Sequence, residues 1–191
     1  MRLFVGITPS AEALAHAAGV VDRIASTTPD MRWVPSERWH VTLAFLGEVD
    51  PDRVPALSAR LDELASHHPP VEGMRLTGAG TFRGVLWLGV QPTERHSPAD
   101  RMARAVQREM RAAGVPVERR PWRAHLTIAR WRPSADRDNA AHRAAESLHG
   151  YAGPPFDVRD IRLVHSITGP TPSHADLHVS RLHTGEVRAP G

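Results

Sequence analysis

The sequence predicts one α+β domain, spanning residues 1–191, built largely on antiparallel sheet. Three observations predict it. Helix-like and strand-like runs are mixed without the regular alternation that a parallel sheet imposes. Pro and Gly mark most junctions between runs, as at Pro69-Pro70 and Gly169-Pro170. No low-complexity stretch or linker divides the 191 residues, a length that suits a single sizeable core.

The elements follow in chain order. Arg2 to Ile7 reads as a strand. A helix runs from about Ser10 to Ser26, with Ser10 as N-cap and Leu14, Ala18, Val21 and Ile24 on one face. Trp39 to Leu46 is the second strand. In the second helix Asp50 caps, Pro51 takes the first helical position, and Val54, Leu57, Leu61 and Leu64 form the apolar stripe. Strands follow at Val71 to Thr77 and Val85 to Val90. A third helix starts at Ser97-Pro98, carries Met102, Val106 and Met110, and stops at Gly114. Arg123 to Arg130 is a strand, and a weaker helix runs from Ser134 to His149. Val158 to Ser166 and Asp176 to Leu182 close the series as strands.

Composition narrows the chemistry. Hydrophobic residues make up 41% and charged residues 24%, ordinary for a globular protein. All 24 Lys+Arg residues are arginine, and the net charge is +3. A coding bias accounts for this as readily as a taste for phosphate, which guanidinium grips through a planar fork. Without cysteine there is no thiolate nucleophile and no Cys-containing zinc site. Without lysine there is no Walker-type lysine, Schiff base or lysyl-nucleotide intermediate. The apolar stretch Met1 to Ile7 is too short for a signal peptide or a membrane span. A cytoplasmic protein with no membrane association is expected.

Two runs share a pattern: His40-Val41-Thr42-Leu43-Ala44 and His125-Leu126-Thr127-Ile128-Ala129. With 12 His in the chain, random placement gives roughly 0.7 His-x-Thr triplets, and the full five-residue pattern on the order of 0.01. The repeat is therefore no accident of composition. On a strand, His40 and Thr42 point one way while Val41 and Leu43 point the other, and the second run repeats this. Two such strands brought together about a pseudo-two-fold axis make a pocket of two imidazoles and two hydroxyls, a site for a phosphate ester. Opening a cyclic phosphodiester needs a base for water and an acid for the leaving oxygen, and histidine serves both near neutrality. The hydroxyls can donate to non-bridging oxygens as charge builds. No cofactor is expected. No metal is expected either, because neither run has an Asp, Glu or further His at ligand spacing. The remaining histidines read as surface residues.

These residues resemble the two-histidine (2H) phosphoesterase superfamily, and within it the RNA 2′,3′-cyclic phosphodiesterases, also called 2′-5′ RNA ligases. Arg2 to Val5, Arg32 to Pro35 with His40 to Gly47, Gly80 to Phe82 with Leu86 to Val90, and Arg120 to Arg130 carry the likeness. In patches it extends from residue 2 to about residue 166. The resemblance implies a bilobal pseudo-two-fold fold, each lobe an antiparallel sheet with flanking helices, and a cleft between the lobes. It implies RNA ending in a 2′,3′-cyclic phosphate, opened to a 2′-phosphomonoester, with ligation as the reverse reaction. By carry-over, His40 is the proton donor, His125 the proton acceptor, and Thr42 and Thr127 hold the phosphate. Phe45 and Arg130, each five residues after its histidine, would clamp a base. Strict alternation turns both away from the histidine face, so each strand must end or bulge there. The other reading makes Phe45 core and Arg130 a surface ion-pair partner.

One departure is visible. The family has a tyrosine after a Ser-rich turn near the C-terminus; Ser166 fits, but the region around Ala175-Asp176 has no aromatic residue. Two alternatives stand beside the main reading: a 2H phosphoesterase acting on a small cyclic nucleotide or a 2′-5′ linkage, and a non-catalytic RNA-binding module. A monomer is expected, as no interface signature is visible.

Overall fold

The computed structural model describes residues 1–82, 84–169 and 172–183. Pro170, half of the predicted Gly169-Pro170 junction, lies outside the described residues. Nine strands and four α-helices follow in the order β1 (Arg2–Ile7), α1 (Ala11–Ala25), β2 (Arg32–Trp33), β3 (Val41–Glu48), α2 (Val54–Ser66), β4 (Val71–Phe82), β5 (Val85–Gln91), α3 (Pro98–Ala112), β6 (His125–Arg130), α4 (Ala135–Ser147), β7 (Ala152–Val158), β8 (Asp160–Ile167) and β9 (Ser173–Arg181). Every pairing is antiparallel, and the main order is β7-β4-β5-β6-β3-β1-β8-β9, with β2 on β6. The α+β class and its antiparallel sheet are as the sequence predicts.

That order divides into two halves of four strands each. Strands β3, β1, β8 and β9 form one half, backed by α2 and α3. Strands β6, β5, β4 and β7 form the other, backed by α1 and α4. The chain crosses between halves several times, so neither half is a contiguous segment. The halves meet at β3 and β6 through one bridged residue pair, Val41 opposite Leu126.

Helix starts follow the caps. The Ser10 hydroxyl accepts from the Ala13 amide, and the Ser97 hydroxyl from Asp100, so both orphan donors are satisfied where the sequence places the caps. Asp50 caps a single 3-10 turn, Pro51–Arg53, from which α2 continues. Leu57, Leu61 and Leu64 of α2 and Met102, Val106 and Met110 of α3 are buried as expected. On α1 the buried line is Ala13, Ala17 and Val21, with Leu14, Ala18 and Ile24 only partly covered. The small residues face the sheet, which lets helix and sheet approach closely.

Two strands are absent from the sequence reading. β7 contains Gly153-Pro154-Pro155, a composition that argues against a strand; it survives because β7 is the sheet's outer edge, where a missing N–H is tolerated. β2 is two residues long and exists only by pairing with β6. The last strand begins at Ser173, earlier than the turn-forming residues suggest, because Ser173 and His174 pair with Ile167 and Ser166 of β8.

Candidate active site

Val41 and Leu126, the pair that joins the halves, hold the same place in the two repeated runs, the residue after histidine. The local two-fold axis of an antiparallel pair passes between them. Counting outward in that register sets His40 across from Thr127 and Thr42 across from His125. Val41 and Leu126 are fully buried, while both histidines and both threonines are half-buried. The aliphatics pin the strands and the polar partners face outward.

Beyond this point the two strands separate, and their freed edges are capped differently. The indole N–H of Trp122 donates to the Thr42 carbonyl at 2.8 Å, and the Gln107 side-chain amide to the Leu43 carbonyl at 3.0 Å. On the other side the Val34 amide donates to the Ile128 carbonyl at 2.9 Å and β2 continues along β6. Along β3, between it and the segment before β6, opens a cleft of about 860 Å³ whose lining includes Thr42, Phe45, Phe82, Trp122, Arg123 and His125.

Both strands bulge, and at the same place. β1 pairs Val5 with Ala44 and Gly6 with Thr42, leaving Leu43 as an extra residue. β5 pairs Leu86 with Ala129 and Trp87 with Thr127, leaving Ile128 extra. Each bulge lies three residues after its histidine. Leu43 and Ala44 are consecutively buried, as are Ile128 and Ala129, so the alternation slips by one and position five returns to the exposed side. Phe45 is 47% exposed, which removes it from the core. Arg130 is exposed and makes no ion pair among the described residues.

The imidazoles are held alike. Nδ1 of His40 lies 2.8 Å from the carbonyl of Arg38, and Nδ1 of His125 lies 2.8 Å from the carbonyl of Arg123. A carbonyl only accepts, so each Nδ1 carries the proton and each Nε2 is left to exchange one. Their ring neighbours differ. His40 stacks on Phe4 at 4.3 Å and meets His174 edge-on at 4.8 Å. His125 meets Phe82 edge-on at 5.1 Å, with Trp87 at 6.4 Å. The Trp87 ring occupies the space above Gly80, where a Cβ would collide with it, so glycine at position 80 sets the wall behind His125.

Charge follows burial. Desolvation lowers the His40 pKa to about 4; the Arg38 carbonyl opposes the shift, and His174, His125 and Arg130 add to it through their charge. His125 is lowered too, by desolvation first, against the Arg123 carbonyl and with Arg130 adding. His40, Thr127 and Arg130 do not line the cleft that takes Thr42, Phe45 and His125. The guanidinium over the Phe45 ring is that of Arg2 rather than Arg130. Among the described residues no three His, Cys, Asp or Glu side chains gather as a metal site.

His174 corrects the reading of the other histidines as surface residues. It is half-buried against His40 and Phe4, at 4.8 and 5.3 Å, in the segment where the family's tyrosine is missing. The signal was present: the segment lacks an aromatic residue but offers an imidazole. Phe4, Phe82 and Trp87 were likewise visible only as parts of resembling patches.

The two-lobed antiparallel α+β fold is shared with solved structures that include LigT of E. coli. TT0787 of Thermus thermophilus superposes with a TM-score of 0.72 at 23% identity, covering 95% of this chain and 98% of that one. LigT of E. coli complexed with 3′-AMP gives 0.71 at 21%, covering 95% and 97%. In sequence, an RNA 2′,3′-cyclic phosphodiesterase of Geobacillus stearothermophilus is 28% identical over 91% of this chain, which spans 55% of that relative's length. A protein of the same name from Archaeoglobus fulgidus is 28% identical over 94% of this chain and 99% of its own. The model of the 2′-5′ RNA ligase superfamily matches residues 9–170, and the chain belongs to that family.

Proposed function

We propose that this protein hydrolyses RNA 2′,3′-cyclic phosphate ends to 2′-phosphomonoesters by acid–base catalysis between His40 and His125, without a metal, the whole chain working as one domain. The observation that carries this reading is the seam: one backbone bridge joins equivalent residues of the two His-x-Thr runs, and both rings anchor Nδ1 on the carbonyl two residues earlier. Two Nε2 atoms are thereby left free to exchange a proton.

His125 takes a proton from water as the oxygen attacks phosphorus. His40 gives its proton to the departing 3′ oxygen, leaving the phosphate on the 2′ oxygen. Thr42 and Thr127 donate to the non-bridging oxygens as charge accumulates. Burial leaves His40 uncharged in the empty site at neutral pH, so its role as donor requires that an arriving phosphate anion raise its proton affinity. Phe45, exposed at the cleft, and Arg130, exposed at the matching position, take the terminal base. The reverse reaction, 2′-5′ ligation, uses the same groups. The protein works as a cytoplasmic monomer; among the described residues no helix is long and apolar enough to cross a membrane.

The test is a short RNA with a terminal cyclic phosphate, incubated with the protein and excess EDTA, the product resolved as 2′- or 3′-phosphate. A 2′-phosphomonoester is expected. Loss of activity on chelation, restored by a divalent ion, would overturn the mechanism; affinity for the RNA without product at any pH would make this a binding module.

A further inference from the structure

Around Arg130 the fold gathers arginines that have no ion-pair partner among the described residues. β2 runs antiparallel to β6 so that Arg32 stands directly opposite Arg130. Like charges at that position repel across the strands and weaken the pairing. Arg38, two residues before His40, has its Nε buried with no hydrogen-bond partner. Arg2 lays its guanidinium over the Phe45 ring at 4.9 Å. Although Arg130 is exposed, partial desolvation of its side chain first, and then the charges of Arg32, Arg38 and Arg2, lower its proton affinity.

Among the described residues none of these four guanidiniums has a carboxylate within ion-pair distance. Five arginines do have carboxylate partners among the described residues, Arg60 with Glu109, Arg104 with Asp100 and Arg162 with Asp160 and Asp176 among them, so what sets the present group apart is its crowding rather than its lack of partners. Even Glu48, the cross-strand partner of Arg2, turns to the N-terminal amine instead. Repulsion that no carboxylate among the described residues relieves, together with an orphaned buried donor, is the electrostatic form of a site that awaits an anion.

We infer that Arg32 and Arg38, with the charge of Arg130 behind them, form a second phosphate subsite that takes the group on the 5′ oxygen of the terminal nucleotide. The inference rests on His40 and His125 being the reacting pair. Two imidazoles and two hydroxyls already serve the reacting phosphate. The guanidiniums come from the flanking strand and from the turn before His40. In a ribonucleotide the cyclic phosphate and the 5′ phosphate hang from opposite sides of one ribose. A protein that holds the first at the seam has the second within reach of long side chains on the next strand. The subsite would favour substrates with a second phosphate, whether an internal RNA phosphodiester or a terminal 5′ monophosphate.

Three substrates separate these sources: adenosine 2′,3′-cyclic phosphate with a free 5′ hydroxyl, the same nucleotide with a 5′ phosphate, and a dinucleotide with a cyclic end. The two carrying a second phosphate should show kcat/KM about 10- to 100-fold higher, mainly through KM. Equal gains for both point to the phosphate group alone; a gain confined to the dinucleotide points to the RNA strand as its source. Arg32→Gln should erode the preference and leave the 5′-hydroxyl substrate unchanged, Arg38→Gln should erode the preference as well, and Arg32→Lys should retain most of it. No preference in the wild type, or one that survives the double substitution, overturns the subsite. Turnover of none of the three would instead sink the phosphodiesterase reading. Calorimetric binding of 5′-AMP against adenosine then decides the subsite: tighter binding of 5′-AMP, lost in Arg32→Gln, supports it, and equal binding ends it.

Discussion

The two halves of the seam use one backbone design and give it two environments. On both sides a histidine anchors Nδ1 on the carbonyl two residues back, a threonine follows at the second position, and a bulge falls at the third. The surroundings are not repeated. His40 is packed between Phe4 and a third imidazole, and its pKa is pushed down to about 4. His125 opens on the cleft with aromatic edges around it, and its proton affinity falls for the same first reason, desolvation. The lesson is that a strand pattern can be repeated closely while the neighbours of its histidines are not repeated at all. Paired titratable groups whose environments differ are the usual means of dividing acid from base.

The largest effects should come from breaking the pair. His40→Ala and His125→Ala are each expected to lower kcat by about three orders of magnitude or more, with circular dichroism and melting temperature nearly unchanged, since both rings are half-buried at strand entrances. The double variant should be little slower than the worse single one, because groups that act as a unit are not additive. Equal activity of wild type and His125→Ala on a cyclic nucleotide would end the two-histidine mechanism. Thr42→Val and Thr127→Val come next, each with a loss of about 100-fold in kcat, the size of one transition-state donor. Valine keeps the branched shape, so a loss without destabilisation isolates the hydroxyl.

The seam was legible in the sequence because its information is local. Histidine, aliphatic, threonine, aliphatic, alanine is a complete instruction for which side each residue faces, and the need to bring position five back to the histidine face demanded a bulge that both strands contain. What breaks the symmetry was not legible, because it arrives from distant segments. β2 has no strand character of its own and forms only against β6. β7 reads as a loop because Pro154 and Pro155 are tolerable only on an edge, and being an edge is a property of the whole sheet. His174 reaches His40 through the β8–β9 hairpin, across turn-forming residues that suggest no strand. Local pattern specified the common half of the design, and tertiary pairing specified the difference.

A pH experiment measures that difference directly. The folded protein holds the His40 pKa near 4, below the 6.5 of an ordinary imidazole, so between those values the unfolded chain binds more protons than the folded one. Stability from this group is therefore fully present above about pH 6.5 and is lost as pH falls toward 4. The loss is on the order of 2–3 kcal/mol for a half-buried ring at ~1.36 kcal/mol per unit. His40→Asn should flatten that part of the melting-temperature profile. His125→Asn should flatten it less, in keeping with the more open ring. Equal profiles for the two variants would mean that the halves are electrostatically alike.

The smallest effect tests the neighbour itself. His174 lowers the His40 pKa through its charge, and it covers an edge of the ring at 4.8 Å. In His174→Ala both influences go: water reaches the His40 ring and one nearby cation is removed. Each change favours the imidazolium, so the His40 titration followed by NMR should move upward by a fraction of a pH unit, while His125 stays in place. Inorganic phosphate should move His40 upward further in the wild type, because an anion beside a desolvated imidazole stabilises its charged form. That second shift is what the donor role requires. A His40 signal that ignores phosphate, while His125 rises, would reverse the assignment of acid and base without disturbing the pair.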